Sequence, residues 1–205
     1  MRREFSRLFE TQKTEDRRQK TDRASSVLCS VAERGPSKAD RSQRILVLGL
    51  GNILLKDEGV GAHVARRLQE RSLPGNVEIV DAGTAALDVL LLAEGIERLV
   101  IIDAMRAGGK PGTIYVAHIP AGQTSQLAQI FPGQDGSKIS LHQAGLLDAL
   151  AAAKAIGRAP EQIVIVGVEP AEVDCGLELT DGVERRIPEI IDTVLKEIKD
   201  DIHAE

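Results

Sequence analysis

Three runs of almost uninterrupted aliphatic residues, Ile45–Leu48, Arg98–Asp103 (RLVIID) and Ile163–Val168 (IVIVGV), set the tightest limit on what this chain can fold into. A short apolar run without polar alternation has to be covered on both faces, which is the condition of a central strand in a parallel sheet. Helical spacing fills the intervals. Gly59–Arg71 carries Val60, Val64, Ala65 and Leu68 on one face, Ala85–Ala93 reads as a second helix, and Leu141–Ile156 as an Ala/Leu-rich third, stopped by Gly157 and Pro160. Val77–Val80, ending at Asp81, and Thr113–Ala117 supply two further strands, and Thr180–Lys199 a long C-terminal helix interrupted near Pro188. Alternating β and α segments with buried strands imply an α/β/α sandwich around a mostly parallel sheet.

Composition narrows the class. The chain has 205 residues, 42% hydrophobic and only 2% aromatic, so the core must be built from Leu, Ile, Val and Ala. No apolar run approaches the ~18 residues that span a bilayer. Cys29 and Cys175 are too few for a disulfide framework or a thiolate zinc site, and a reducing cytoplasm is the expected compartment. Residues 1–44 hold 12 Lys+Arg against 7 Asp+Glu, a balance of +5; the remaining 14 against 24 give −10. The basic excess lies in a Ser/Arg/Lys/Glu-rich stretch with little periodic apolar content, so residues 1–43 read as a disordered extension rather than a nucleic-acid surface, and 44–205 as the folded α/β domain. Arg2-Arg3-Glu4-Phe5 is faintly similar to a twin-arginine export signal, but no apolar segment follows it.

Glycines after the first strand raise the question of a nucleotide site. The dinucleotide fingerprint needs Gly-x-Gly-x-x-Gly. Here Gly49-Leu50-Gly51-Asn52-Ile53-Leu54 puts Leu at the third glycine, and Asp57-Glu58 at the helix start would repel a pyrophosphate. A phosphate ligand is disfavoured, and with it a nucleotide-dependent oxidoreductase.

The same acids suit a metal ion. Glu58, Asp103 and His142 each follow a strand or loop end, and a parallel sheet brings such ends to one edge. Two carboxylates and an imidazole can hold a divalent transition metal while leaving positions open. Each residue alone has a plainer reading: Glu58 as a helix-start acid, Asp103 as a turn cap, His142 as a satisfied histidine. His63, inside a helix, and His118, on a strand exit, are weaker candidates. The stretch Pro120–Ser140, without clear periodicity, reads as a surface loop beside the site.

At this point the residues resemble the maturation endopeptidases of nickel–iron hydrogenases. Gly49, Gly51, Asn52, Leu54, Asp57, Glu58, Gly59 and Gly61 match the family's opening pattern. Asp81-Ala82-Gly83-Thr84, the strand ending at Asp103-Ala104, Ser140-Leu141-His142-Gln143-Ala144-Gly145-Leu146 and Val166-Gly167-Val168-Glu169-Pro170 are similar to four further signatures, in order. The resemblance spans residues 44–200 and leaves 1–43 without a counterpart. It implies a five-stranded sheet of order 2-1-3-5-4 with one antiparallel strand. The fourth strand fits that exception, because the tight Gly108–Gly112 turn before it is too short for a parallel crossover.

The resemblance also implies a function: removal of the C-terminal extension from a hydrogenase large-subunit precursor after nickel insertion. Glu58, Asp103 and His142 carry over as the positions that meet the substrate's nickel, which then polarises the scissile carbonyl or activates water. No general base is assigned. A His-Glu-x-x-His helix and a Gly-x-Ser-x-Gly elbow are both absent, and Cys175 reads as a structural thiol rather than a nucleophile. The expected partner is the precursor, with no nucleic acid, no membrane and a monomeric protease. A non-proteolytic, nickel-dependent checkpoint on the precursor is the alternative.

Overall fold

The computed structural model describes residues 43–92, 95–120 and 141–199, with the backbone alone at 87, 91, 92, 120 and 141–145. The chain divides into two units, Met1–Ser37 and Lys38–Glu205, and every described residue belongs to the second. The extension 1–43 and the loop 121–140 therefore lie outside the described residues, apart from Gln43.

Five strands form one sheet: β1 (Ile45–Leu50), β2 (Val77–Gly83), β3 (Arg98–Ala104), β4 (Ile114–Pro120) and β5 (Gln162–Val168), in the order β2-β1-β3-β5-β4. The first four in that order run parallel. β4 pairs antiparallel with β5, from Ile114 opposite Val168 to Pro120 opposite Gln162. The sheet order and its single antiparallel strand match the expectation from the sequence.

Side-chain alternation along the buried strands feeds two cores. Ile45 and Val47 of β1, Val100 and Ile102 of β3, and Val164, Val166 and Val168 of β5 share one face with Val60, Val64 and Leu68 of α1 (Val60–Gln69). The same core takes Val183 of α4 (Asp181–Glu184) and Ile187, Ile190, Ile191, Val194 and Ile198 of α5 (Ile187–Lys199). Full burial of each such aliphatic side chain contributes about 1.5–3 kcal/mol. The alternate residues Leu46, Leu48, Leu99, Ile101, Ile163 and Ile165 are buried on the opposite face. There α2 (Ala86–Leu92) and α3 (Leu141–Ala155) pack on each other. Leu146, Ala149, Leu150 and Ala153 of α3 are buried at the spacing of one helix face.

β2 and β4 run on to Gly83 and Pro120, past the ends read from the sequence, and two helix divisions differ as well. The first helix is preceded by a separate 3-10 turn, Lys56–Gly59, which carries both acids of the opening motif. The C-terminal helix is two helices, broken at Arg185–Arg186, and Pro188 sits in the first turn of α5 rather than in a helix interior. A proline there lacks only an N–H that the first turn would leave unbonded.

Candidate functional site

The first strand delivers its loop through two glycine contacts. Gly51 has φ of 122°, and a Cβ there would lie 1.8 Å from the carbonyl oxygen of Glu58. Only glycine lets the chain fold back so that residue 58 crosses over the strand end. Gly61, in the first turn of α1, lies so close to β1 and β3 that a Cβ would be 2.1 Å from the Ile102 carbonyl oxygen and 2.3 Å from that of Leu50. The helix-on-strand contact made by the third glycine of a dinucleotide fingerprint is thus made here by Gly61, with Leu54 exposed on the loop instead.

Asp57 and Glu58 are adjacent in sequence but have different work. Asp57 is fully buried. Its Oδ2 accepts from the backbone N–H of Ala171 at 2.8 Å, that of Glu172 at 3.1 Å and the Thr180 hydroxyl at 2.8 Å, and its Oδ1 from the Thr180 N–H at 2.7 Å. This carboxylate ties the loop after β5 to the 3-10 turn. The two loops are also joined through backbone bonds from Lys56 N–H to the Gly176 carbonyl and from Gly176 N–H to the Leu54 carbonyl. The sequence read Asp57 only as a helix-start acid; its tie to a loop more than a hundred residues away has no local signature.

Glu58, half-buried, belongs to the turn, which as a whole packs against β3. Asp103, one residue beyond the Ile102 that pairs with Gly49, is 1% exposed. Its Oδ1 accepts from the Ala104 N–H at 2.8 Å, and its Oδ2 is buried with no hydrogen-bond partner among the described residues. Burial pushes the Asp103 carboxyl up to about 7; the Ala104 N–H works against that and the charge of Glu58 adds to it. Glu58 and Asp103 therefore act on each other electrostatically. A buried, half-satisfied carboxyl beside a second carboxylate is an arrangement that a divalent cation would complete.

The third candidate is placed by its backbone alone. His142 is the second residue of α3, and its side chain lies outside the described residues. The helix is followed by β5, which runs parallel to β1 and β3. The helix ends at Ala155, a short connection before β5 starts at Gln162 on the amino edge, so a helix of this length (about 22 Å) laid along the sheet begins toward the edge where β1 and β3 end. Topology thus brings residues 58, 103 and 142 to one sheet edge. Among the described residues no group of three His, Cys, Asp or Glu side chains forms a metal cage.

Of the remaining candidates, His118 lies away from this edge, while His63, Asp81 and Cys175 stand on elements that begin or end at it. His118 lies toward the far end of antiparallel β4, with Nε2 3.5 Å from Glu197, beside Arg98 at the start of β3. His63 is on α1, half-buried, with its pKa lowered by burial and by Arg66 and Arg67. Asp81, of the second signature, accepts from Arg66 Nε at 2.7 Å. Cys175 is a free, exposed thiol on the loop after β5, which corrects its reading as a structural thiol. Glu169, missed as a functional position, is buried. Its Oε2 accepts from Ala107 N–H, Gly109 N–H and the Tyr115 hydroxyl at 2.8, 3.1 and 2.8 Å. Burial raises the Glu169 carboxyl, but these donors outweigh it and hold it below the usual range. It fixes the turn that follows Asp103.

Comparison with known proteins agrees with this geometry. A family model described as hydrogenase maturation protease matches residues 62–197, a span that includes Asp103 and His142 and begins just after the Glu58 turn. The chain is 36% identical over 159 residues to the hydrogenase 2 maturation protease of Escherichia coli K12, covering 77% of this chain and 92% of that one. It is 35% identical over 166 residues to the hydrogenase expression/formation protein HupD of Rhodobacter capsulatus, covering 78% and 74%. The solved structure of the hydrogenase maturating endopeptidase HybD from E. coli superposes with a TM-score of 0.67 at 35% identity, over 78% of this chain and 94% of that one. With sheet order, motif positions and relatives in agreement, the chain belongs to the hydrogenase maturation protease family.

Proposed function

We propose that this protein is the endopeptidase that removes the C-terminal extension of a nickel–iron hydrogenase large-subunit precursor, and that nickel already seated in the precursor is its recognition element. Glu58, Asp103 and His142 would be the protease's ligands to that substrate-borne ion. The observation that supports the reading is the pairing of Glu58 with the buried, unpartnered Oδ2 of Asp103 at the carboxyl edge of the sheet. The ligand set is sparse and contains no thiolate, so it suits transient completion of an ion's coordination rather than storage. Asp103 sheds its proton on binding, which makes recognition weaker below neutral pH. No helix among the described residues is long and apolar enough to cross a membrane. A cytoplasmic, monomeric protease that binds no nucleic acid completes the reading.

The test is a comparison of precursor mass after incubation with chelator-stripped protease. Nickel-loaded precursor should be cut, and metal-free precursor should stay intact even when the protease alone was preincubated with nickel and freed of excess ion. Efficient cleavage of the metal-free precursor would show that nickel is not recognised. Glu58→Gln should abolish cutting with the fold preserved; a nickel-dependent complex that is never cut by the wild type would instead favour the checkpoint alternative.

A further inference from the structure

Among the described residues, large exposed aliphatic side chains are few, and most of them lie together. Of the five among the described residues, Leu54 at 42%, Val173 at 37% and Leu177 at 64% lie on the two loops stitched together beside the Glu58 turn. Leu54 and Leu177 flank the backbone bond between Gly176 N–H and the Leu54 carbonyl, and Val173 follows Glu172, whose carbonyl accepts from the Asp57 N–H. The other two among the described residues, Val116 on β4 and Ile156 after α3, stand on other elements, so these three together form a patch that invites an apolar partner. The patch is also strongly acidic. From 171 to 184 the chain has five carboxylates, at 172, 174, 178, 181 and 184, and no Lys or Arg. Lys56 pairs with Glu172 and Arg67 with Glu184, so two of the five are balanced. Asp174, Glu178 and Asp181 make no ion pair with a described residue and face water.

We propose that loops 52–56 and 171–178 form a docking ledge for a peptide segment that alternates apolar side chains with Lys or Arg, and that this segment is the part of the precursor next to the bond to be cut. This rests on the protease reading above. Charge complementarity selects the occupant: an acidic surface repels an acidic peptide and attracts a basic one, and the apolar side chains between the acids set its register. Position selects the source. Lys56 and Asp57, which hold the ledge, immediately precede Glu58, so a chain lying across Leu54 and Leu177 passes directly beside the Glu58–Asp103 pair. The buried Asp57 tie keeps the ledge rigid and lowers the ordering cost of binding.

Fluorescence anisotropy with a short fluorescein-labelled peptide in which Leu alternates with Lys tests the ledge without any cleavage. The wild-type protein should bind this peptide, and bind a Leu/Glu counterpart far more weakly. Val173→Ser combined with Leu177→Ser should weaken binding about tenfold, the loss expected when two partly covered aliphatic contacts are removed. Both residues are exposed, so urea unfolding should be unchanged. Asp174→Lys combined with Glu178→Lys should weaken it similarly and flatten its salt dependence. On precursor, the Ser pair should raise KM and leave kcat in place. Equal binding of the Leu/Glu peptide, or unchanged affinity in the Ser pair, would overturn the ledge. Glu58→Gln separates the two readings: it should retain peptide binding and lose processing. If it processes normally the metal-site reading fails while the ledge stands.

Discussion

Asp103 is the residue whose chemistry the fold changes most. Its carboxyl stands near 7 in the folded chain against 3.8 for the free group. Between these values the folded state holds a proton that the unfolded chain has released, so stability falls as pH rises from about 4 to about 7 and is level above that. A shift of this size in a fully buried group corresponds to a destabilisation on the order of 4 kcal/mol. Asp103→Asn, which cannot ionise and can still accept from Ala104, is expected to remove that slope. The difference in unfolding free energy between variant and wild type should grow by several kcal/mol from pH ~4 to pH ~8 in urea titrations. A difference independent of pH would show that Asp103 is ionised in the apo fold. That Asp103 ends a buried strand was legible in the sequence; that its Oδ2 lacks a partner was not. Neither was the role of Asp57, whose donors come from positions 171, 172 and 180.

Elements were read more reliably than residues, for a physical reason. Strands buried on both faces must be continuously apolar, and helices covering them must repeat every three to four residues, so β1, β3, β5, α1 and α3 announce themselves locally. The 3-10 turn is different. It exists because Asp57 is pulled inward and because Gly51 and Gly61 allow backbone to lie on backbone, conditions set by β3 and the loop after β5. Gly61→Ala tests this. An added methyl 2.1 Å from the Ile102 carbonyl has no flexible side chain to displace, so α1 must move off the sheet. The variant is expected to lose about 3 kcal/mol or more of stability, measured by urea unfolding. Processing should fall further than stability at permissive temperature, because the turn carrying Glu58 moves with the helix. Near-wild-type stability would show that the contact relaxes easily. The interruption of the C-terminal helix was expected near Pro188; its place at Arg185–Arg186 was not legible, because neither residue is a helix breaker and Pro188 is compatible with the first turn it occupies.

For the whole molecule, the folded unit is held from Gln43 onward. The Gln43 carbonyl accepts from Asn76 Nδ2 at 2.7 Å, and the Arg44 carbonyl accepts from the N–H groups of Glu97 and Arg98. The composition of residues 1–42 offers too little apolar area to offset its ordering entropy. A chain beginning at Gln43 is therefore expected to unfold at the same urea midpoint as the full chain and to process precursor at the same rate. A lost transition, or lost activity with the transition intact, would assign those residues a role. The division between sequence and tertiary structure follows from the range of the forces involved. Periodicity and glycine positions are local and were enough for the layers of a mostly parallel α/β/α sandwich, while the strand order and the family were read from the resemblance that the five ordered motifs carry. Which carboxylate becomes a structural tie, which becomes a buried acid near pH 7, and which loops pair into an exposed apolar and acidic ledge depend on desolvation and on hydrogen-bond partners distant in sequence. Those were decided only when the sheet brought residues 57, 58, 103 and 171–180 to one edge.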